Sequence, residues 1–398
     1  MGRNVRFIIL NSDEQFGREL RALLLSFDGV KIVAEVDEPA LLHQTVRQCQ
    51  VDILIVHLDP TPETILPVAG EIAAAERNLA VFAVSSSTDG QLILNVLRKG
   101  LREFLPRPID PKTLGEAIDR VVAQQGEHVK QGRLITVLGA AGGVGATFLA
   151  TNLAVELRQL AAGAVAVVDM DYRFGQVATL LDVEVKYTLA DLCHSPEALE
   201  AAVLQRALEK HSSGVHVLSR PSHFAQADTM TASACVALLS GLLQFNEYVV
   251  TDGPNRFDLT AKSVLDFSDV TLLVVQLLVP PVRNALRIIE GLREAGFGRE
   301  RLRLVCNRAG RESGHLSLQD VESTLGLEAS VVIPDDWATV SGAINLGEPL
   351  LEHGPRSKVR AAIQELAQRL HNPQGPSDEK KKEEAGKGSL LNKIFSRA

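Results

Sequence analysis

The sequence predicts an α/β chain of two doubly wound parallel-sheet domains in series. Apolar β-type runs alternate with helical patterns at βαβ spacing from Val5 to about Val122. The alternation stops at a polar, glycine-containing stretch and then restarts, running from Arg133 to about Leu370. The second series opens on a glycine cluster set between an apolar run and a helix-like run. A chain of 398 residues with 45% hydrophobic content is long enough for about two such cores.

In the first series the expected strands are Val5–Leu10, Lys31–Glu35, Ile53–Val56, Ala80–Val84 and Glu103–Leu105, separated by amphipathic segments such as Phe16–Ser26 and Asp89–Lys99. Residues 1–123 are therefore one domain. The run Gln124-Gln-Gly-Glu-His-Val-Lys-Gln-Gly132 is the linker, 124–132. In the second domain, 133–371, the expected strands are Leu134–Leu138, Val165–Val168, Val215–Leu218, Tyr248–Thr251, Val270–Val275, Leu302–Cys306 and Val331–Ile333. Residues 372–388 are rich in Pro, Gly and charge and read as a disordered linker. A short apolar cluster, 389–398, follows them.

Composition narrows the function. A net charge of −8 with dispersed Lys and Arg argues against a nucleic-acid surface, so no specific nucleic acid is expected as a partner. Cys49, Cys193, Cys235 and Cys306 fall in no metal-binding or disulfide spacing and read as reduced thiols. With no signal-peptide pattern and no apolar stretch of membrane-spanning length, the expected compartment is the cytoplasm.

The stretch Leu134-Ile-Thr-Val-Leu-Gly-Ala-Ala-Gly-Gly-Val-Gly-Ala-Thr147 has the architecture of a phosphate-binding loop. Glycines let backbone N–H groups approach an anion, and the N-terminus of the helix-like run Phe148–Leu160 adds partial positive charge. The usual pattern requires a lysine just before the Ser/Thr. Here Ala146 precedes Thr147, whose hydroxyl remains available to Mg²⁺. Close packing is the plain alternative for a glycine-rich turn taken alone. Three further segments support the loop: Ala166-Val-Val-Asp-Met-Asp171 ends in two carboxylates at i, i+2, Tyr248-Val-Val-Thr-Asp252 ends in one, and Leu302-Arg-Leu-Val-Cys-Asn-Arg308 ends in an amide suited to a base edge. All lie at the C-terminal ends of predicted parallel strands, where open α/β sheets bind ligands. A turn-capping role for Asp171 and a simple turn role for Asn307 are the alternatives.

On these residues the second domain resembles the MinD/ParA class of deviant-Walker P-loop ATPases. It is most similar to the CpaE/TadZ pilus-assembly branch, through Val168-Asp-Met-Asp-Tyr-Arg-Phe-Gly-Gln-Val177, Thr188-Leu-Ala-Asp-Leu192, Ile333-Pro-Asp-Asp336 and Val340-Ser-Gly-Ala343. The resemblance implies ATP or ADP with Mg²⁺ as cofactor. Gly142, Gly143, Val144, Gly145, Ala146, Thr147, Asn307 and Arg308 would bind the nucleotide, with Asn307 on adenine. Thr147, Asp169 and Asp252 would support the metal, and Asp171 would orient the attacking water. The departure is that both class lysines are alanine, Ala141 and Ala146. Losing a charge-assisted contact at a phosphoryl-transfer site costs roughly three or more decades in rate, so slow or absent hydrolysis is expected. Arg173, in the segment after Asp171, is the candidate basic substitute.

The first domain resembles a response-regulator receiver, as the CpaE/TadZ branch also carries. The acidic corner Asn11-Ser-Asp-Glu14 and the segment Gly100-Leu-Arg-Glu-Phe-Leu-Pro-Arg-Pro108 carry that resemblance. Where receivers place the phosphoryl-accepting aspartate, the run Asp52-Ile-Leu-Ile-Val-His57 places His57. Ser12 replaces one metal-binding acid, Asp13 keeps the other, Ser85 stands at the switch hydroxyl and Arg107 replaces the lysine. The expectation is a pseudo-receiver that binds a partner. Asp59, two residues beyond His57, could accept a phosphoryl group only after a loop rearrangement.

In the tail, Leu390, Leu391, Ile394 and Phe395 segregate from Lys393 and Arg397 at helical spacing. This resembles the membrane-targeting helix of MinD-type proteins, and a contact with its own domain or another protein is the alternative. The resulting expectation is a CpaE/TadZ-like positioning or assembly factor for a Tad-type pilus or secretion machine. It would be homodimeric and peripheral at the anionic inner-membrane surface, including the pole. The rival is an active MinD/ParA-like ATPase that cycles on a membrane for septum-site or partition positioning.

Overall fold

Five strands, β1 (Val5–Leu10), β2 (Val30–Val36), β3 (Ile53–His57), β4 (Ala80–Ser85) and β5 (Glu103–Pro106), form the first sheet in the order β2-β1-β3-β4-β5. Every pairing in it is parallel. The computed structural model describes residues 5–27, 29–49, 51–76, 79–124, 132–193, 201–253, 258–295, 297–310 and 316–372. The linker from 125 to 131, and the expected disordered segment and tail from 373 onward, lie outside them.

Alternation along β1 divides the first core into two layers. Phe7 and Ile9 face the helices Glu14–Leu25 and Pro111–Gln124, where Leu20, Leu24, Leu114 and Ile118 are buried. Ile8 and Leu10 face Pro39–Gln48 and Pro62–Ala75, with Leu42, Ile65 and Ala69. β3 and β4 are buried along their whole length, which is why they read as unbroken apolar runs.

The second sheet has eight strands: β6 (Arg133–Gly139), β7 (Ala164–Asp169), β8 (Glu209–Lys210), β9 (His216–Leu218), β10 (Asn246–Asp252), β11 (Val270–Gln276), β12 (Leu302–Ala309) and β13 (Ala329–Pro334). Their order is β13-β12-β11-β6-β10-β7-β9-β8. All neighbours are parallel except β8, which pairs antiparallel with β9. The sequence does not signal β8, because two residues cannot display a period. The strand carrying the glycine loop, β6, lies inside the sheet between β11 and β10, so the loop emerges where neighbours on both sides present their C-terminal ends. On one face Ala150, Leu153 and Leu157 of helix Ala146–Leu160 join Ile363 and Leu366 of helix Lys358–His371 over Ile135 and Val137.

The two sheets are joined through β2, the edge strand of the first, which packs on helices Ala232–Leu242 and Leu259–Phe267 of the second. The join is ionic as well as apolar. Lys31 of β2 is almost fully buried and its Nζ lies 2.9 Å from Asp269 Oδ2. The same carboxylate oxygen accepts the Leu134 N–H at 2.7 Å, at the foot of the loop strand. Arg21 pairs with both Glu35 and Asp266. Arg301 donates to the Val30 carbonyl at 2.7 Å and to the Asp266 carbonyl at 3.0 Å.

Candidate phosphate-binding site

The loop leaves β6 at Gly139 and enters the helix Ala146–Leu160 through Gly145, its N-cap. Gly143 and Gly145 adopt φ of 76° and 94°, the left-handed conformation that glycine tolerates without penalty. A Cβ on Gly145 would lie 2.4 Å from Asn307 Nδ2, so a side chain there would have to displace the Asn307 amide. A helix N-terminus following such a turn offers converging N–H groups to an anion. Ala141 and Ala146 contribute no charge.

Beside the loop stand two carboxylates. Asp169 and Asp252 end the adjacent strands β7 and β10 and are register partners, both buried. Asp169 Oδ2 accepts the Val177 N–H at 3.1 Å. Its Oδ1 is buried without a hydrogen-bond partner. Burial raises the Asp169 carboxyl well above the usual range, and the neighbouring Asp252 charge adds to this. Burial pushes Asp252 up to about 7, partly opposed by a hydrogen bond from Thr147 and reinforced by the Asp171 charge. Two neighbouring buried carboxylates, one with an unsatisfied oxygen, and a hydroxyl are an oxygen donor set that fits a hard divalent cation such as Mg²⁺. Thr147, Asp169 and Asp252 would hold it, and when bound it supplies positive charge to phosphate oxygens. No group of three or more His, Cys, Asp or Glu side chains suited to a metal occurs among the described residues, so water and phosphate would complete the shell.

Asp171 lies one turn further out. Its Oδ1 accepts the N–H groups of Arg173 at 3.3 Å and Phe174 at 3.1 Å, a turn-capping arrangement. Arg173 pairs with Asp228 and is not directed at the loop. The sequence expects Asn307 on a base edge. In the structure its Nδ2 donates to the Val144 carbonyl at 2.7 Å and its Oδ1 accepts the Arg308 N–H at 2.9 Å, so the chain itself engages both ends of the amide.

A cleft next to the loop is lined by Phe148, Asn307, Arg308, Pro334, Asp336 and Trp337, among others. Trp337, the chain's one tryptophan, is 62% exposed, and the Arg308 guanidinium lies 5.6 Å from its ring centroid. The Trp337 ring is thus open to solvent beside the Arg308 cation. Sequence reading missed three residues here: Trp337, Gln276 and Arg220. Gln276 donates to the Gly143 carbonyl at 3.0 Å. Arg220 donates to the Gly175 carbonyl at 2.8 Å, and its charge lowers the Asp169 carboxyl against the burial effect. The signal for Gln276 was present, a polar residue closing an apolar strand as Asn307 does. For Arg220 no local pattern exists.

At the corresponding end of the first sheet the polar groups satisfy one another. His57 is buried beneath Phe16, its Nδ1 is 2.7 Å from Asn11 Oδ1, and Arg107 donates to its Nε2 at 3.0 Å. The two contacts together require the neutral tautomer protonated on Nδ1. Burial, followed by the Arg107 charge, lowers the His57 pKa and agrees with that form. Asp13 caps the helix Glu14–Leu25, accepting from Gln15 and Phe16, and lies 3.7 Å from Arg107. Asp59 accepts the Ser85 hydroxyl at 2.6 Å and the Ser86 N–H at 2.7 Å. Each carboxylate is thus committed, and each has its pKa lowered. Incubation with acetyl phosphate and Mg²⁺ is expected to leave the intact mass unchanged. A stoichiometric gain of one phosphoryl group on Asp13 or Asp59 would contradict this.

No family model matches the chain. Over 245 residues it is 26% identical to the septum site-determining protein MinD of Thermotoga maritima, an alignment covering 60% of this chain and 88% of that protein. Its fold is similar to that of the ParA family ATPase from Chlorobium tepidum TLS, with a TM-score of 0.56 and 21% identity over 61% of this chain and 100% of the other. It is also similar to the septum site-determining protein MinD from Pyrococcus horikoshii OT3, complexed with Mg-ADP, with a TM-score of 0.53 and 21% identity over 61% and 98% of the two chains. Across about 60% of its length the chain has the fold of the MinD/ParA P-loop ATPases.

Proposed function

We propose that this protein is a CpaE/TadZ-like positioning or assembly factor for a Tad-type pilus or secretion machine, whose nucleotide site binds Mg-ATP or Mg-ADP and turns it over slowly or not at all. One observation carries the nucleotide half of this reading. The loop, Thr147 and the Asp169–Asp252 pair keep the form of a Mg-nucleotide site, while both lysine positions are alanine. The similar chain solved with Mg-ADP supports the choice of cofactor. The pilus assignment is supported by the segments 168–177, 188–192, 333–336 and 340–343. We take 1–123 as a partner-binding pseudo-receiver and 133–371 as the nucleotide domain, working as a homodimer. Deleting the gene in its host should abolish surface pilin and leave septum position unchanged. Normal pilin with misplaced septa would replace this reading with the MinD-like one, which the 26% identity to a septum site-determining protein favours.

Membrane attachment is the second part of the proposal, assigned to 389–398. No helix among the described residues is long and apolar enough to cross a membrane. Four apolar side chains partly buried in lipid contribute a few kcal/mol, roughly 0.8 per methylene, and Lys393 and Arg397 add about 1 kcal/mol each near anionic lipid. Full-length protein should float with anionic liposomes, less so in high salt, and Phe395→Glu should abolish flotation. Equal flotation of the intact chain and one ending before Ser389 would assign the tail to a protein contact.

A further inference from the structure

The phosphate loop holds its turn without either lysine, and two side-chain amides grip it. Gln276 and Asn307 are register partners on the adjacent strands β11 and β12. Gln276 Nε2 donates to the Gly143 carbonyl at 3.0 Å, and Asn307 Nδ2 donates to the Val144 carbonyl at 2.7 Å. The Arg308 N–H on Asn307 Oδ1, at 2.9 Å, fixes which end of that amide faces the loop. Two successive carbonyls are therefore held from one side.

A trans peptide group points its C=O and N–H in opposite directions. Holding the Gly143 and Val144 carbonyls toward β11 and β12 turns the N–H groups of Val144 and Gly145 the other way. The left-handed φ values at Gly143 and Gly145 allow consecutive N–H groups to converge, the geometry of a backbone anion nest. The two class lysine positions, 141 and 146, are alanine, and Arg173 is paired with Asp228.

We propose that Gln276 and Asn307 are positioning residues that preset a lysine-free nest for the polyphosphate of a Mg-nucleotide. Neutral donors hold the carbonyl side of the loop, so its N–H side meets the phosphates already aligned and less ordering is required on binding. This rests on the nucleotide reading above. It adds that affinity for the phosphates is set by residues outside the loop, and it moves Asn307 from the base to the loop.

The test uses the full-length chain, equilibrium dialysis with Mg-ADP and with inorganic triphosphate, and amide exchange across 141–147 without ligand. Gln276→Leu should weaken both ligands by the same factor, about five- to tenfold, the worth of one neutral hydrogen bond. It should also speed exchange in the loop and leave the melting temperature unchanged. Gln276→Asn, one methylene short of the carbonyl, should reproduce the loss and serves if the leucine variant folds poorly. Native affinity and native loop exchange in both variants would overturn the proposal. Failure of the unsubstituted chain to retain either ligand at millimolar concentration would instead overturn the nucleotide reading. The exchange data would then still report whether Gln276 holds the loop.

Discussion

Replacing Ala146 with lysine should tighten Mg-ATP binding about 10- to 100-fold, since a hydrogen bond to a charged group is worth roughly 1.5–3 kcal/mol. The position is the first residue of the helix Ala146–Leu160, half-buried and next to the N–H groups of the helix N-terminus, which favour an anion. A new ammonium there has phosphate oxygens to meet and no carboxylate competitor within the loop itself. The restored charge should raise hydrolysis by less than it raises affinity, because Ala141 still lacks the second lysine. Dialysis of the native and A146K chains under identical Mg²⁺ checks this. Equal affinities would mean that the nucleotide does not lie along the loop.

Asp269→Leu should lower the stability of the full chain by about 3–5 kcal/mol, the cost of leaving one member of a buried ion pair alone. Lys31 is almost fully buried, and the same carboxylate also satisfies the Leu134 N–H. Burial already lowers the Lys31 pKa and Asp269 opposes that effect, so removing the carboxylate takes away the group that keeps the ammonium charged. The double variant Lys31→Met with Asp269→Leu should recover much of the loss, because well-packed apolar replacements of buried pairs are often neutral. Denaturant unfolding of the three chains gives the comparison. A loss below about 1 kcal/mol in the single variant would show that the Lys31–Asp269 pair contributes little to the join.

Much of this architecture is legible in the sequence because a parallel sheet covered on both faces writes itself as apolar runs. β1 begins and ends at the expected residues, Val5 and Leu10, and the other expected strands recur with no end moved by more than three residues. The strand ends are where the sequence reads least well. Asp169, Asp252 and Asn307 close strands as polar residues after apolar runs, so they stand out, yet their partners do not. The path of Asn307 back to Val144 spans 163 positions, and no local pattern encodes it. Asp171 illustrates the same limit: the i, i+2 spacing places it beside Asp169, but the chain turns after β7 and its carboxylate caps that turn. The ionic join at Lys31 and Arg21 was invisible for another reason. Charged residues in a strand and a helix read as solvent-facing until a second domain covers them.

Phosphate release by the native full-length chain, with anionic liposomes and saturating Mg-ATP, tests the central claim most directly when nucleotide occupancy is measured in the same preparation. The loop and its paired carboxylates should hold nucleotide while release stays at the protein-free background, with Asp171→Ala making no difference. Sustained turnover that Asp171→Ala abolishes would contradict the account and establish an active ATPase working without either lysine.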